Sequence, residues 1–144
     1  MKIINLLVDR GPQVVGLGPG ETVLDAVQLM VEAHCGSVLV IDGKGEPIGI
    51  FTERDLMVRV VSAGKEPRAT LLEEVMTRDL YTTDVGRKVA EVRREMRAKH
   101  IRHVPVMDDG RVVAVLSTRD LLRADFEEKR DHARAMSDYI RGVL

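Results

Sequence analysis

Apolar positions along the chain fall into short runs with two alternating spacings. Val14 to Leu17 is an apolar run closed by Gly18-Pro19-Gly20, which predicts a short strand and a turn. Thr22 then precedes Val23, Val27, Met30 and Val31, a three-and-four spacing that predicts a capped amphipathic helix ending near Cys35-Gly36. Val38 to Ile41 and Ile48 to Phe51 flank the turn residues 42–45 and predict a buried hairpin. Helical spacing returns from Asp55 to Ala63 and stops at Gly64, so the predicted order is β-α-β-β-α. Ahead of it, residues 1–13 read as a lead-in: Ile3, Ile4, Leu6 and Leu7 can dock as a short helix that Gly11-Pro12 closes.

After a polar connector and a short helical piece from Leu71 to Val75, the order begins again. A shift of 66 aligns Val23 with Val89, Met30 with Met96, His34 with His100, Val38 with Val104, Val40 with Val106 and Asp42 with Asp108. The second hairpin is one residue shorter. Beyond it a shift of 65 aligns Thr52 with Ser117, Arg54 with Arg119, Asp55 with Asp120 and Leu56 with Leu121. Two copies of one unit account for this. Each copy has a sheet face that about sixty residues bury poorly alone, so the two are expected to pack around a pseudo-twofold axis. The divisions are 1–13 lead-in, 14–64 first repeat, 65–75 connector, 76–123 second repeat and 124–144 C-terminal helix.

Composition narrows the chemistry. With 144 residues there is no room for a catalytic domain beside a regulatory one, and aromatics at 3% with no Trp leave an aliphatic core. The formal net charge of -1 gives no global pull toward nucleic acid or an anionic membrane, and neither partner is expected. Cys35 is the single cysteine, so there is no internal disulfide and no Cys-pair zinc site. The N-terminal apolar stretch is too short for a signal segment or a membrane span, and a cytoplasmic protein is expected. No His/Asp/Glu spacing resembles a metal site; His34 and His100, at matching helix ends, are read as partners of the helix dipole.

The repeated strand-to-helix junction is where chemistry could sit. Thr52 and Ser117 fit N-cap positions, and Asp55 and Asp120 follow three residues later. By itself, hydroxyl-x-x-acid is a capping box and nothing more. Repeated across two packed halves, it can also be a ligand site, because a helix start collects N–H groups for phosphate and a carboxylate accepts both hydroxyls of a ribose.

Gly49-Ile-Phe-Thr-Glu-Arg-Asp55, Val75-Met76-Thr77, and Ile101-Arg-His-Val-Pro-Val106 ahead of Ser117-x-x-Asp120 resemble a tandem pair of cystathionine-β-synthase (CBS) domains, the Bateman module, from about Val14 to Arg123. The resemblance implies an α/β (α+β) fold of two such repeats. It further implies a non-enzymatic regulatory module that senses AMP, ADP or ATP in clefts between the repeats, with S-adenosylmethionine or NAD(H) as alternative ligands. No cofactor is required. It places Thr52 and Asp55 against Leu80 to Thr83, including Tyr81, and against Arg102, His103 and Val104. In the same way it places Ser117 and Asp120 against Leu17 to Thr22, Ser37 and Val38.

The two clefts are not equivalent. Arg102 and His103 have only Ser37 at the matching place, so the Asp55 cleft is expected to be the tighter phosphate site. Ala114 replaces Gly49, so the Asp120 cleft is expected to be narrower or empty; Lys88, in place of Thr22, is expected at the surface. A duplicated scaffold with degenerate clefts is the competing function. From Leu122 a stripe runs through Phe126, Lys129, Ala133, Met136, Ile140 and Val143 in heptad-like steps. It either pairs with a second chain or packs back on its own module; a C2 homodimer is expected, with an unknown regulated protein as partner.

Overall fold

The computed structural model describes residues 1–10 and 14–142. Each repeat builds one three-stranded sheet. In the first, β1 (Gly16–Leu17) pairs in parallel with β2 (Ser37–Ile41), which pairs antiparallel with β3 (Pro47–Thr52). In the second, β4 (Thr83–Asp84), β5 (His103–Asp108) and β6 (Arg111–Ser117) repeat the arrangement. Even the irregularity is duplicated: the register shifts between Val40 and Ile41 and again between Val106 and Met107. The shorter second hairpin turns on Asp109 and Gly110, both at positive φ (50° and 76°), the geometry that matches strand twist in a tight turn.

Helix α2 (Val23–Ala33) starts at Thr22, whose hydroxyl accepts from Asp25 N at 3.1 Å while Asp25 Oδ2 accepts from Thr22 N at 3.0 Å. Its buried face is Val23, Ala26 and Met30; the expected Val31 is 69% exposed, because the stripe turns through Ala26 instead. Helix α5 (Val89–Ala98) buries Val89, Val92 and Met96 in the matching positions. His34 and His100 end these helices in the left-handed region, at φ 53° and 56°, where glycine is the commoner choice.

The expected helix from Asp55 to Ala63 has two parts. A single α turn, α3 (Glu53–Asp55), passes into a π-helix over Leu56–Val61 with a bond from Ser62 N to Met57 O at 2.9 Å. In the second repeat the same junction launches α6 (Thr118–Ile140), an unbroken 23-residue helix.

Two aliphatic cores result, and each is completed by the segment that precedes the other repeat. Helix α1 (Ile3–Arg10), ahead of the first repeat, puts Ile3 and Leu6 into the second core beside Val89, Met96, Val104 and Leu116. Helix α4 (Leu72–Val75), ahead of the second repeat, puts Leu72 and Val75 into the first core beside Val23, Val38 and Phe51. The docking bonds correspond: Ile3 N donates to Arg87 O and Leu72 N to Glu21 O, both at 2.9 Å. Each buried Ile or Leu contributes about 2 kcal/mol. The lead-in is therefore a working part of the fold, and the exchange locks the two halves together. The expected closing turn Gly11-Pro12 lies outside the described residues.

Candidate functional site

The two junctions share one capping geometry. Asp55 Oδ2 accepts from Thr52 N at 3.0 Å and Asp120 Oδ2 from Ser117 N at 2.8 Å, while each hydroxyl accepts from the aspartate N–H. What else reaches the carboxylates differs. Thr52 Oγ1 donates to Asp55 Oδ2 at 3.2 Å, Thr77 Oγ1 lies 3.2 Å from Oδ1 and 3.4 Å from Oδ2, and Arg59 Nε lies 3.5 Å from Oδ1. Asp55 is 6% exposed, with its lone pairs largely taken from within the fold. Asp120 is half-buried, and beyond its cap it meets one further partner, Arg10 Nη1 at 2.8 Å from Oδ1. Among the described residues nothing else takes its remaining lone pairs.

The cause lies in the segments that cross the junctions. Thr77 forms an isolated antiparallel bridge to β3, in which Ile50 and Thr77 exchange backbone bonds of 2.9 and 2.8 Å. At the equivalent place over the second repeat, α1 stays helical, and among the described residues ahead of the first repeat it is the Arg10 side chain that reaches Asp120. Gly49 is required by this: a Cβ there would lie 2.5 Å from Met76 Sδ and 3.1 Å from Thr77 O. Ala114 faces no such strand, and its methyl is buried in the second core.

A groove of about 800 Å³ opens at Asp120. Its walls come from both repeats: Ser37 and Glu53 from the first, His103, Ser117 and Asp120 from the second. Arg10, Arg102, Arg119 and Arg123 stand around it, against Glu53 and Asp120 as its acids. The surplus of cation suits an anionic ligand, and Val14, Val15 and Val115 supply apolar wall. The repeats touch closely here; a Cβ on Gly36 would lie 3.1 Å from Glu53 Oε1 and 3.2 Å from His103 Nε2. Burial pushes the His103 pKa below the ordinary imidazole value, against the upward pull of Glu53 and then Asp120.

A family model described as "CBS domain" matches residues 10–62 and again 72–127. The chain belongs to the CBS domain family. The CBS pair is 36% identical over 108 residues to the uncharacterized protein MK0525 of Methanopyrus kandleri, covering 74% of this chain and 55% of that one. It is 31% identical over 126 residues to the mitochondrial CBS domain-containing protein CBSX3 of Arabidopsis thaliana, covering 85% of this chain and 61% of that one. The chain thus spans little more than half the length of these curated relatives. Among solved structures, the CBS-domain containing protein ATU1752 of Agrobacterium tumefaciens superposes with a TM-score of 0.82 at 29% identity, covering 87% and 99% of the two chains.

Within the CBS pair, the residues expected to face ligand separate into groups. Ser37, His103, Ser117 and Asp120 line the Asp120 groove together. Arg102 and His103, expected opposite Asp55, line this groove, and His103 also feels the Asp55 charge, while Asp55 and Thr52 are absent from the groove walls. The two junctions differ in their cover: the bridge at Thr77 lies over the first, and among the described residues α1 reaches the second through Arg10. Val38 and Val104 are fully buried in the two cores. Leu17 packs on the first core and Thr22 is occupied as an N-cap; Val14 and Val15 stand at the groove in their place.

Tyr81 turns toward α5, where its hydroxyl bonds Glu95 and its ring lies 5.5 Å from Lys99 Nζ. Burial, with Glu95 beside it, raises its pKa to about 12. Thr83 is 5% exposed, and among the described residues its Oγ1 is a buried polar atom without a hydrogen-bond partner. Sequence reasoning missed Arg10, Glu53, Arg119 and Arg123. The repeat of Arg54 as Arg119 was a usable signal; for Arg10 there was none, because the crossing of α1 is a tertiary event. Among the described residues, no group of three His, Cys, Asp or Glu could hold a metal ion, and no helix is long and apolar enough to cross a membrane.

Proposed function

We propose that this CBS pair is a regulatory sensor that binds an adenine nucleotide in the Asp120 groove. The observation that carries the reading is the unequal occupancy of the two aspartates. Asp120 sits in an open, cationic groove built by both repeats and retains acceptor capacity, whereas Asp55 is saturated and covered. A ribose diol donates two hydroxyls, which an aspartate can accept, while the surrounding arginines suit the phosphates.

Arg10 gives this binding a route to a conformational signal. The Arg10–Asp120 pair is partly exposed and contributes only about 0.2–1 kcal/mol, so a diol taking Asp120 can displace it. Helix α1 is then the element whose docking the ligand biases, and a partner that reads α1 would sense occupancy. The assembly in this reading is a homodimer through α6, whose stripe Leu122, Phe126, Met136 and Ile140 is 50–76% exposed.

A thermal-shift series tests the reading, because a ligand bound only by the folded state raises the melting temperature by mass action. AMP, ADP or ATP at millimolar concentration should raise it. If those three, S-adenosylmethionine and NADH all leave the transition unmoved, the chain is a scaffold whose clefts have lost their ligand.

A further inference from the structure

The first repeat carries an apolar patch that the second lacks. Val31 on α2 and Met57, Val58 and Val61 on the π-helix are 51–69% exposed, while Val60 is buried in the first core. The shifts of 66 and 65 put their counterparts at Arg97, Leu122, Arg123 and Phe126. Arg97 and Leu122 line one groove, so Val31 and Met57 are neighbours at the matching place across α2 and the π-helix. The same fold carries arginine at 97 and 123, so packing of the core is not what makes Val31 and Val58 apolar. A contiguous exposed patch of this kind marks a contact with another molecule.

The chain also carries an element that fits the patch. Beyond Phe126, α6 continues to Ile140, roughly 20 Å of helix with no counterpart in the first repeat. Met136, Tyr139 and Ile140 stand there at i, i+3 and i+4, the spacing with which an apolar helix face enters a groove, and they are 50–76% exposed. Patch and helix end both stay exposed in the single chain, so they do not meet within it. A second copy lets each cover the other. At on the order of 100 Å² per side chain, the seven residues present roughly 700 Å² per chain, near the ~800 Å² per partner of a standard stable interface. We infer that in the homodimer the end of α6 from each copy lies on the Val31, Met57, Val58 and Val61 patch of the other. This reciprocal exchange leaves Leu122 and Phe126 to the crossing of the two α6 helices at the twofold axis. The inference rests on the homodimer of the proposed reading and is independent of nucleotide binding.

Light scattering over a concentration series tests it with two variants. Val31→Arg/Val58→Arg gives the patch the residue type that the second repeat carries at the same places, and Tyr139→Glu/Ile140→Glu charges the helix end. All four positions are exposed, so the circular dichroism of both variants should match wild type. Should the arginine variant unfold, Val31→Ser/Val58→Ser takes its place. Each variant alone should weaken the dimer about tenfold or more, and an equimolar mixture should recover dimer mass, because one intact patch then meets one intact helix end. A patch variant that stays dimeric would mean that helix ends pair with each other. An α6 variant that stays dimeric would mean that patches do, and a mixture that stays monomeric would mean both. Each of these results overturns the exchange and leaves the homodimer standing. A wild-type chain that is monomeric throughout the series overturns the homodimer with it and gives the patch to a different protein.

Discussion

Arg10 and Asp120 meet at 2.8 Å, joining the last residue of α1 to the first turn of α6 across most of the chain. Asp55, the repeat equivalent of Asp120, meets the Thr77 hydroxyl instead. A fold duplicated down to its sheet bulges thus diverges at the place where a ligand could enter. Replacing Arg10 by Met should cost no more than about 1 kcal/mol of stability, since the pair is partly exposed. In amide exchange, the end of α1 should lose protection in this variant, and it should lose protection in the wild-type chain when nucleotide is added. Equal protection with and without bound nucleotide would separate α1 from the signal.

Gly49→Ala should destabilise the chain by about 1–3 kcal/mol in chemical denaturation. The added methyl would meet Met76 Sδ at 2.5 Å and the backbone oxygen of Thr77 at 3.1 Å, and the latter accepts a backbone bond from Ile50 N that holds it in place. The cost should fall on stability, with nucleotide affinity at the Asp120 groove retained, since Gly49 is not among its walls.

His103 gives the groove a pH dependence. Burial holds its folded-state pKa below the unfolded value of about 6.5, so the folded chain prefers the neutral ring, although Glu53 and Asp120 pull the other way. The unfolded state then binds more protons between the two values. Stability from this group is fully present above pH about 6.5 and is lost as pH falls toward the folded pKa. Melting temperatures measured downward from pH 7 should decline less steeply in His103→Gln than in wild type; parallel curves would remove His103 as the cause.

On α6, Phe126 is 66% exposed and Ile140 76% exposed on one heptad stripe, an apolar face unusual for a monomer. Light scattering should give a dimer mass for the wild-type chain and a monomer mass for Phe126→Glu. A wild-type monomer would leave the stripe to another partner. The final expected member of the stripe, Val143, lies outside the described residues.

Much of this was legible in the sequence. The two repeats, their strand order, the hairpins and both capping boxes follow from spacing and from hydroxyl-x-x-Asp, because these are local effects. The exchange of α1 and α4 between cores was not legible: Ile3 and Leu72 announce burial without saying against which half. For the same reason the difference in cover between the two junctions was not legible. How a junction is covered depends on Thr77 bridging to β3 and Arg10 ending a helix, and neither spacing nor the Gly49-to-Ala114 difference encodes that. The π-helix after Asp55 had no signal in the pattern Leu56 to Val61, which fits an ordinary helix equally well.

Calorimetric titration of AMP and ATP into Asp120→Asn and Asp55→Asn tests the central claim most directly. Asp120→Asn should weaken both nucleotides by about tenfold or more with little change in stability, because the amide loses half the acceptor capacity offered to the diol. Asp55→Asn should cost about 1–3 kcal/mol of stability through its unsatisfied buried partners and leave affinity nearly intact. Nucleotide binding that survives in Asp120→Asn and disappears in a folded Asp55→Asn would contradict the account.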